Sequence, residues 1–320
     1  MSAVEAERSL KLFGTDVRLL AGVPSSEGAA PAEAALDQAE AALRQVHDAL
    51  TRFEQSSDLS RLNRDDHEVV PASQLLRSAV SSALEAAALT GGLVDPVLEE
   101  QMHEVGYAHS RAGLEPAELG AALDEAPERR SASPNPSSPW HEIEVDDQAG
   151  TIARPVGSRL DLGGTGKGFA ADVVASVLDG RTSWCADIGG DLRLGGSAGL
   201  GRSVLVTNPF SDRPDLECDF AAGAVATSGI SRRIWHSERG FEHHMLDPAT
   251  GLPAWTGVVQ ATAVAGSGVE AEALAKAALL SGPERAGELL AVNGGIVVLD
   301  SGRAEVVGPL AGRVREVVAA

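Results

Sequence analysis

The sequence predicts an α+β protein with antiparallel-rich sheets and packed helices, and three observations carry that reading. Apolar residues recur at helical spacing in two long N-terminal segments. From Trp140 onward the texture changes to short β-like runs separated by glycine pairs and interrupted irregularly by helical patterns, unlike a regular βαβ array. The composition, 43% hydrophobic and 22% charged over 320 residues, is globular, and 35 Gly with 16 Pro make it rich in turns.

Lys11 to Leu20 alternates around Gly14 and suits a strand. A helix follows, with Pro31 in its first turn and Leu36, Ala39, Leu43, Val46 and Leu50 on one face. Thr51 to Asn63 is polar and turn-like, with Ser57 or Asp58 able to start a helical turn. A second helix is expected from about Pro71 to Leu89, stopped by Gly91 and Gly92. Residues 110–139, which end in SASPNPSSP, read as a surface loop. Strands are expected at Ser183 to Ile188, Leu192 to Leu194, Ser203 to Val206, Val258 to Val264 and Ile296 to Leu299. Helices are expected at Lys167 to Leu178, Val269 to Leu280 and Pro283 to Val292.

Composition narrows the function. Lys plus Arg is 26 and Asp plus Glu is 46, a net charge of −20, which disfavours nucleic-acid binding. No apolar run approaches the roughly 18 residues of a membrane span, and no basic then apolar leader opens the chain; a cytoplasmic protein is expected. Cys185 and Cys218 make neither a disulfide framework nor a zinc pattern.

The densest feature is Asp161 to Asp172, DLGGTGKGFAAD, where a glycine-rich turn opens into an amphipathic helix. Free N–H groups, the helix dipole and Lys167 favour an anion there, and phosphate or pyrophosphate binding is preferred over a purely structural turn. It is not a P-loop, which needs Ser or Thr where Gly168 stands, nor a dinucleotide fingerprint, whose last glycine falls on Phe169. Ile188 to Asp191, IGGD, reads alone as a hairpin turn. In EHHMLDPATGLP, Glu242 to Pro253, at most one of His243 and His244 faces a site if the backbone is extended. Asp247 suits a turn whose carboxylate takes backbone N–H groups. Glu272 and Lys276 lie at i, i+4 and read alone as a surface ion pair. No Ser/His/Asp triad or cysteine nucleophile assembles, as expected of an enzyme whose nucleophile belongs to its substrate.

Taken in order, seven segments resemble the ApbE-type FAD:protein FMN transferase family from about Phe13 to Gly282. Phe13-Gly14-Thr15 is similar to its early Met-Gly-Thr. Leu50 to Phe53 with Ser57 to Asn63, and GGLVDP at Gly91 to Pro96, match its next two segments. DLGGTGKGFAAD, IGGD, ATSG at Ala226 to Gly229 and HHMLDPATGLP follow. The resemblance implies one flavin transferase domain over residues 1–320. It implies transfer of FMN from FAD to a Thr or Ser hydroxyl of an acceptor flavoprotein, with release of AMP and a metal, usually Mg²⁺, at the pyrophosphate. It places Phe13, Phe53, Val94, Asp95, Gly163, Gly164, Lys167, Gly168, Ser228 and His244 at the flavin dinucleotide. His244 is the candidate proton acceptor, with Asp247 able to orient it. A homodimer is the candidate assembly.

The family's metal ligands map to Gly164, Glu272 and Lys276. Glu keeps an oxygen ligand, but a lysine cannot ligate a cation. Three readings stay open: the metal sits differently, the Lys276 ammonium replaces part of its charge, or Lys276 pairs with Glu272 and activity is lost. The alternatives to transfer are therefore an FAD-binding homologue without transfer, or a slow FAD pyrophosphatase.

Overall fold

The computed structural model describes residues 3–211 and 214–317; the extreme ends of the expected 1–320 unit lie outside them. Eight strands form one sheet, antiparallel at every pairing: Ala3–Leu12, Thr15–Pro24, Ser183–Ile188, Asp191–Gly195, Gly223–Gly229, Val258–Ala265, Gly295–Leu299 and Ala304–Val307, in that spatial order. The expected single strand over Lys11 to Leu20 is in fact the end of one strand and the start of the next, joined by a turn at Phe13 and Gly14. Phe13 and Gly14 both take positive φ, 54° and 68°, the geometry of a tight two-residue turn. Glycine accepts this freely; a phenylalanine held there is strained, which is characteristic of functional positions.

Alternate side chains of the middle strands serve two cores. Ala186 and Ile188 join the core under the helices Ala30–Leu50 and Gly166–Leu178. Cys185, Leu194 and Val225 face the other way, against Val204, Cys218 and Phe220 of a three-stranded sheet. The first helix buries the five expected positions, Leu36 to Leu50. The helix Gln74–Leu89 begins later than expected, because Pro71 closes the short strand Val69–Pro71 and the Ser73 hydroxyl accepts the Leu76 N–H at 3.2 Å. Ser57 caps Asp58–Arg64 in the same way, at 3.0 Å.

The loop before the glycine-rich turn is held from below. Asn63 exchanges two hydrogen bonds with the Leu160 backbone, each 2.8 Å. Buried Arg154 donates to the carbonyls of Leu62, Asp65 and Ser158, fixing where Asp161 starts.

The expected pair of C-terminal helices is present within Gly268–Leu290, the two separated by non-helical backbone at Gly282 (φ 79°). Pro283 has no N–H to give the Leu279 carbonyl; the Thr256 hydroxyl donates to that carbonyl instead, at 2.6 Å. The Ala132 N–H donates to the Leu280 carbonyl at 2.8 Å and the Ser131 hydroxyl to the Ser281 carbonyl at 2.7 Å. Residues 110–139 are therefore more than the surface loop expected. They carry the helix Leu119–Glu125, bury Leu119, Ala122 and Ala132, and strap the broken helix.

The two long central helices cap each other. Glu272, on the second, accepts the Gly168 N–H at 2.9 Å. Asp172, on the first, accepts the N–H groups of Gly268 and Val269 at 2.8 and 3.0 Å. They meet glycine to glycine: a Cβ on Gly168 would lie 2.3 Å from the Gly268 carbonyl oxygen, and one on Gly268 would lie 2.4 Å from that of Gly168. Gly268→Ala is therefore expected to destabilise the fold by about 1–3 kcal/mol, read from the urea midpoint; an unchanged midpoint would show that the helices separate freely.

Candidate active site

A cleft of about 1310 Å³ opens where several turns converge. The Phe13–Gly14 and Gly189–Gly190 hairpin turns, the Gly163–Lys167 turn, Val94–Asp95, Thr227–Ser228 and His244 all line it. Gly189 and Gly190 have φ of 64° and 95°, so IGGD is the hairpin turn its sequence suggested. A Cβ on Gly189 would strike the Thr15 side chain at 2.3 Å, which is how the two hairpins close against each other.

The floor is a quartet of charges. Lys167 pairs with Asp191 and stands 4.0 Å from Glu272, and Lys276 donates to Glu272 at 2.8 Å. Asp191 and Glu272 are 1% and 0% exposed, whereas Lys167 and Lys276 keep 30% and 12% and line the cleft. Burial works against the Lys167 charge, but Asp191 and Glu272 outweigh it and hold its pKa above the ordinary value. Burial pushes the Asp191 carboxyl up. Asp191 also accepts the Thr227 N–H at 3.3 Å, tying the quartet to the strand that carries Ser228.

One wall is aromatic. Phe53 lies 6.0 Å from Tyr107, and Tyr107 lies 6.4 Å from His244, centroid to centroid. The Arg52 guanidinium sits 4.4 Å above Phe53 and 4.8 Å above Tyr107. Its Nε pairs with Asp161 at 3.1 Å, while both terminal nitrogens are buried without a hydrogen-bond partner among the described residues. Phe13 meets His47 edge to face at 5.1 Å. Asp95, also lining the cleft, accepts the Val97 N–H at 2.8 Å, and burial raises its pKa.

The adjacent histidines divide as an extended backbone requires. His243 is fully buried against Trp255 and its Nδ1 accepts the Met245 N–H. His244 faces the cleft, its Nδ1 3.4 Å from the Arg233 carbonyl. A carbonyl only accepts, so Nδ1 carries the hydrogen and Nε2 is left as an acceptor. Desolvation, then the Lys276 charge, pull the His244 pKa down to about 3, so the ring is neutral at neutral pH.

Phe13, Phe53, Val94, Asp95, Gly163, Gly164, Lys167, Ser228, His244 and Lys276 thus share one cleft. Three expected positions do not: Gly168, Asp247 and Glu272, the last fully buried beneath the cleft. Gly168 spends its N–H on Glu272 and its missing side chain on the helix crossing. Asp247 points elsewhere: its carboxylate accepts the N–H groups of Ser133 and Ala249, at 2.9 and 3.1 Å, so it pins the strap and the Asp-Pro turn rather than orienting His244. Sequence reasoning missed Arg52, Tyr107 and Asp191 as site residues. Tyr107 is the one tyrosine of the chain, but no motif surrounds it.

The residues at the expected metal position do not fit a divalent ion. One Glu272 oxygen takes a backbone N–H and the other an ammonium. Among the described residues no group of three or more His, Cys, Asp or Glu could hold a metal.

The fold is that of flavin transferases. The chain belongs to the ApbE family, which it matches over residues 13–299. It is 28% identical over 305 residues to the FAD:protein FMN transferase of Treponema pallidum, covering 89% of this chain and 81% of that one. It is 26% identical to that of Vibrio cholerae, covering 75% and 71%. Its fold matches the crystal structure of the ApbE protein of Thermotoga maritima (TM-score 0.76, 22% identity, 95% and 97% covered). It also matches the flavin transferase ApbE of Vibrio cholerae (TM-score 0.74, 21% identity, 98% and 100% covered). No helix among the described residues is long and apolar enough to cross a membrane.

Burial lowers the His243 pKa from 6.5 to about 3. The unfolded chain then binds a proton that the folded chain refuses, so stability is full above pH 6.5 and falls as pH drops toward 3. Between pH 6.5 and about 5 the wild type is expected to lose about 1.4 kcal/mol per pH unit more than His243→Gln, in urea titrations at each pH; parallel losses would refute the assignment.

Proposed function

We propose that this chain transfers FMN from FAD to a Thr or Ser hydroxyl of an acceptor flavoprotein and releases AMP. Membership of the ApbE family, whose relatives above are named FAD:protein FMN transferases, supports the reaction. The observation that carries it at the level of residues is the convergence of a glycine-rich turn, two ammoniums and a neutral imidazole in one cleft.

FAD is an aromatic ring system joined to adenosine through a diphosphate, and the cleft offers a surface for each. The Gly163–Lys167 turn, Lys167 and Lys276 meet the diphosphate. Phe13, Phe53 and Tyr107, with Val94 and Asp95, receive the isoalloxazine end. The free terminal nitrogens of Arg52 donate to a ligand oxygen. The acceptor hydroxyl oxygen attacks the FMN phosphorus and the P–O bond to the bridging oxygen breaks. AMP departs with that electron pair, and the hydroxyl proton passes to His244 Nε2 and on to solvent. Charge builds on the bridging oxygen, and fixed cations nearby stabilise it more than they stabilise the ground state. No step here needs a nucleophile from this chain, in keeping with the missing triad. A divalent ion enters no step, since the donor set does not fit one.

The experiment is mass spectrometry of an acceptor flavoprotein incubated with this chain and FAD. The acceptor should gain the mass of FMN as AMP appears. No adduct, with a known transferase working in parallel, would refute transfer, and AMP without adduct would mean hydrolysis. His244→Asn should lower turnover about 10²- to 10⁴-fold. Since desolvation and the Lys276 charge keep His244 neutral in the free protein, kcat/KM should show no acid limb near 6.5, the ordinary imidazole value; a limb there that vanishes in His244→Asn would refute that lowering. Arg52→Met should weaken FAD binding by about tenfold, read by quenching of flavin fluorescence.

A further inference from the structure

Two buried carboxylates, Asp191 and Glu272, are already balanced by two ammoniums, Lys167 and Lys276. A divalent ion added beside Glu272 would bring two further positive charges against both lysines, a repulsion that a partly buried site screens poorly. Both Glu272 oxygens are moreover already engaged, one by the Gly168 N–H and the other by Lys276. Lys276 lines the cleft. One of its three N–H donors goes to Glu272, leaving two for a ligand oxygen.

We propose that Lys276, anchored by Glu272, is a built-in cation that takes the place of a divalent metal ion at the dinucleotide diphosphate, so that this chain binds and uses FAD without one. This rests on the flavin reading above. Glu272 is the positioning residue. It is fixed at both oxygens and holds the ammonium on the cleft side of the crossing of the Gly166–Leu178 and Gly268–Leu290 helices. The arrangement also explains why a pair at i, i+4, ordinarily a surface ion pair, is here almost wholly buried at the bottom of a cleft.

The test is FAD titration, followed by flavin fluorescence, in buffer stripped of divalent ions with a chelator and again with millimolar Mg²⁺. The wild type should bind equally in both, within about threefold. Lys276→Met should lose about tenfold or more without Mg²⁺, the worth of a charged hydrogen bond, and Lys276→Arg should keep most of the affinity. Electron spin resonance of Mn²⁺ added to the wild type without FAD should show only free ion. Tightening of wild-type binding by Mg²⁺ of tenfold or more, or wild-type affinity in Lys276→Met without Mg²⁺, would overturn the inference while leaving the flavin reading intact. Absence of FAD binding in both buffers would overturn both. Should Lys276→Met fail to fold, the wild-type titration decides alone.

Discussion

The mutual capping of two helices is the constraint on which the cleft depends. A helix start leaves backbone N–H groups without partners, and burying them unpaired would cost about 1–3 kcal/mol apiece. Here the starts of Gly166–Leu178 and Gly268–Leu290 are pressed together so closely that neither Gly168 nor Gly268 tolerates a Cβ. Water cannot serve donors at such a crossing. Each helix therefore lends a carboxylate to the other, Asp172 in one direction and Glu272 in the other. The acidic residue that completes DLGGTGKGFAAD is thus a cap for a helix about a hundred residues away in sequence.

That arrangement has an electrostatic consequence. Glu272 is fully buried, and one backbone N–H does not compensate a buried carboxylate. Lys276, one helical turn on, and Lys167, from the opposing helix, bring the balancing charge. Lys167 in turn needs Asp191 from the IGGD hairpin. The sheet, the two helices and the cleft floor are therefore one network. The cations presented to a ligand are held by buried partners, not by flexible surface chains, so little side-chain freedom is lost when an anion arrives.

The local chemistry of each segment was legible in the sequence, while its long-range partners were not. Helical spacing located Ala30–Leu50 because burial selects one face of a helix. The glycine-rich turn from Asp161 marked the cleft, and the opposed directions of adjacent side chains separated His243 from His244. Glycine at a helix start has two causes, an anion's approach and a helix's approach, and at Gly168 the second has a clash to show for it. Asp247 sits in a turn whose carboxylate finds Ser133, more than a hundred residues away in sequence, and no local pattern contains that distance. Arg52 and Tyr107 meet from separate segments. The first hairpin was read as one strand because Phe13 is a poor turn residue by propensity, and tertiary packing around the cleft overrides that preference.

Net charge and local charge act at different ranges in this chain. A formal charge of −20 opposes the approach of a dinucleotide carrying two negative phosphates, but in salt that repulsion fades within about 10 Å of the surface. Inside the cleft the ordering reverses. The four charges of the quartet sum to zero, yet they are not equally placed: both carboxylates lie below, almost wholly buried, while both ammoniums are on the cleft side and reach solvent. A ligand therefore meets the positive end of two oriented dipoles. Pairing the lysines lowers the cost of keeping them charged in a partly buried site, and the pairing geometry leaves donors free toward the cleft. A diphosphate entering there completes a layered arrangement of negative, positive and negative charge, which is how a neutral cluster in an acidic protein can attract an anion.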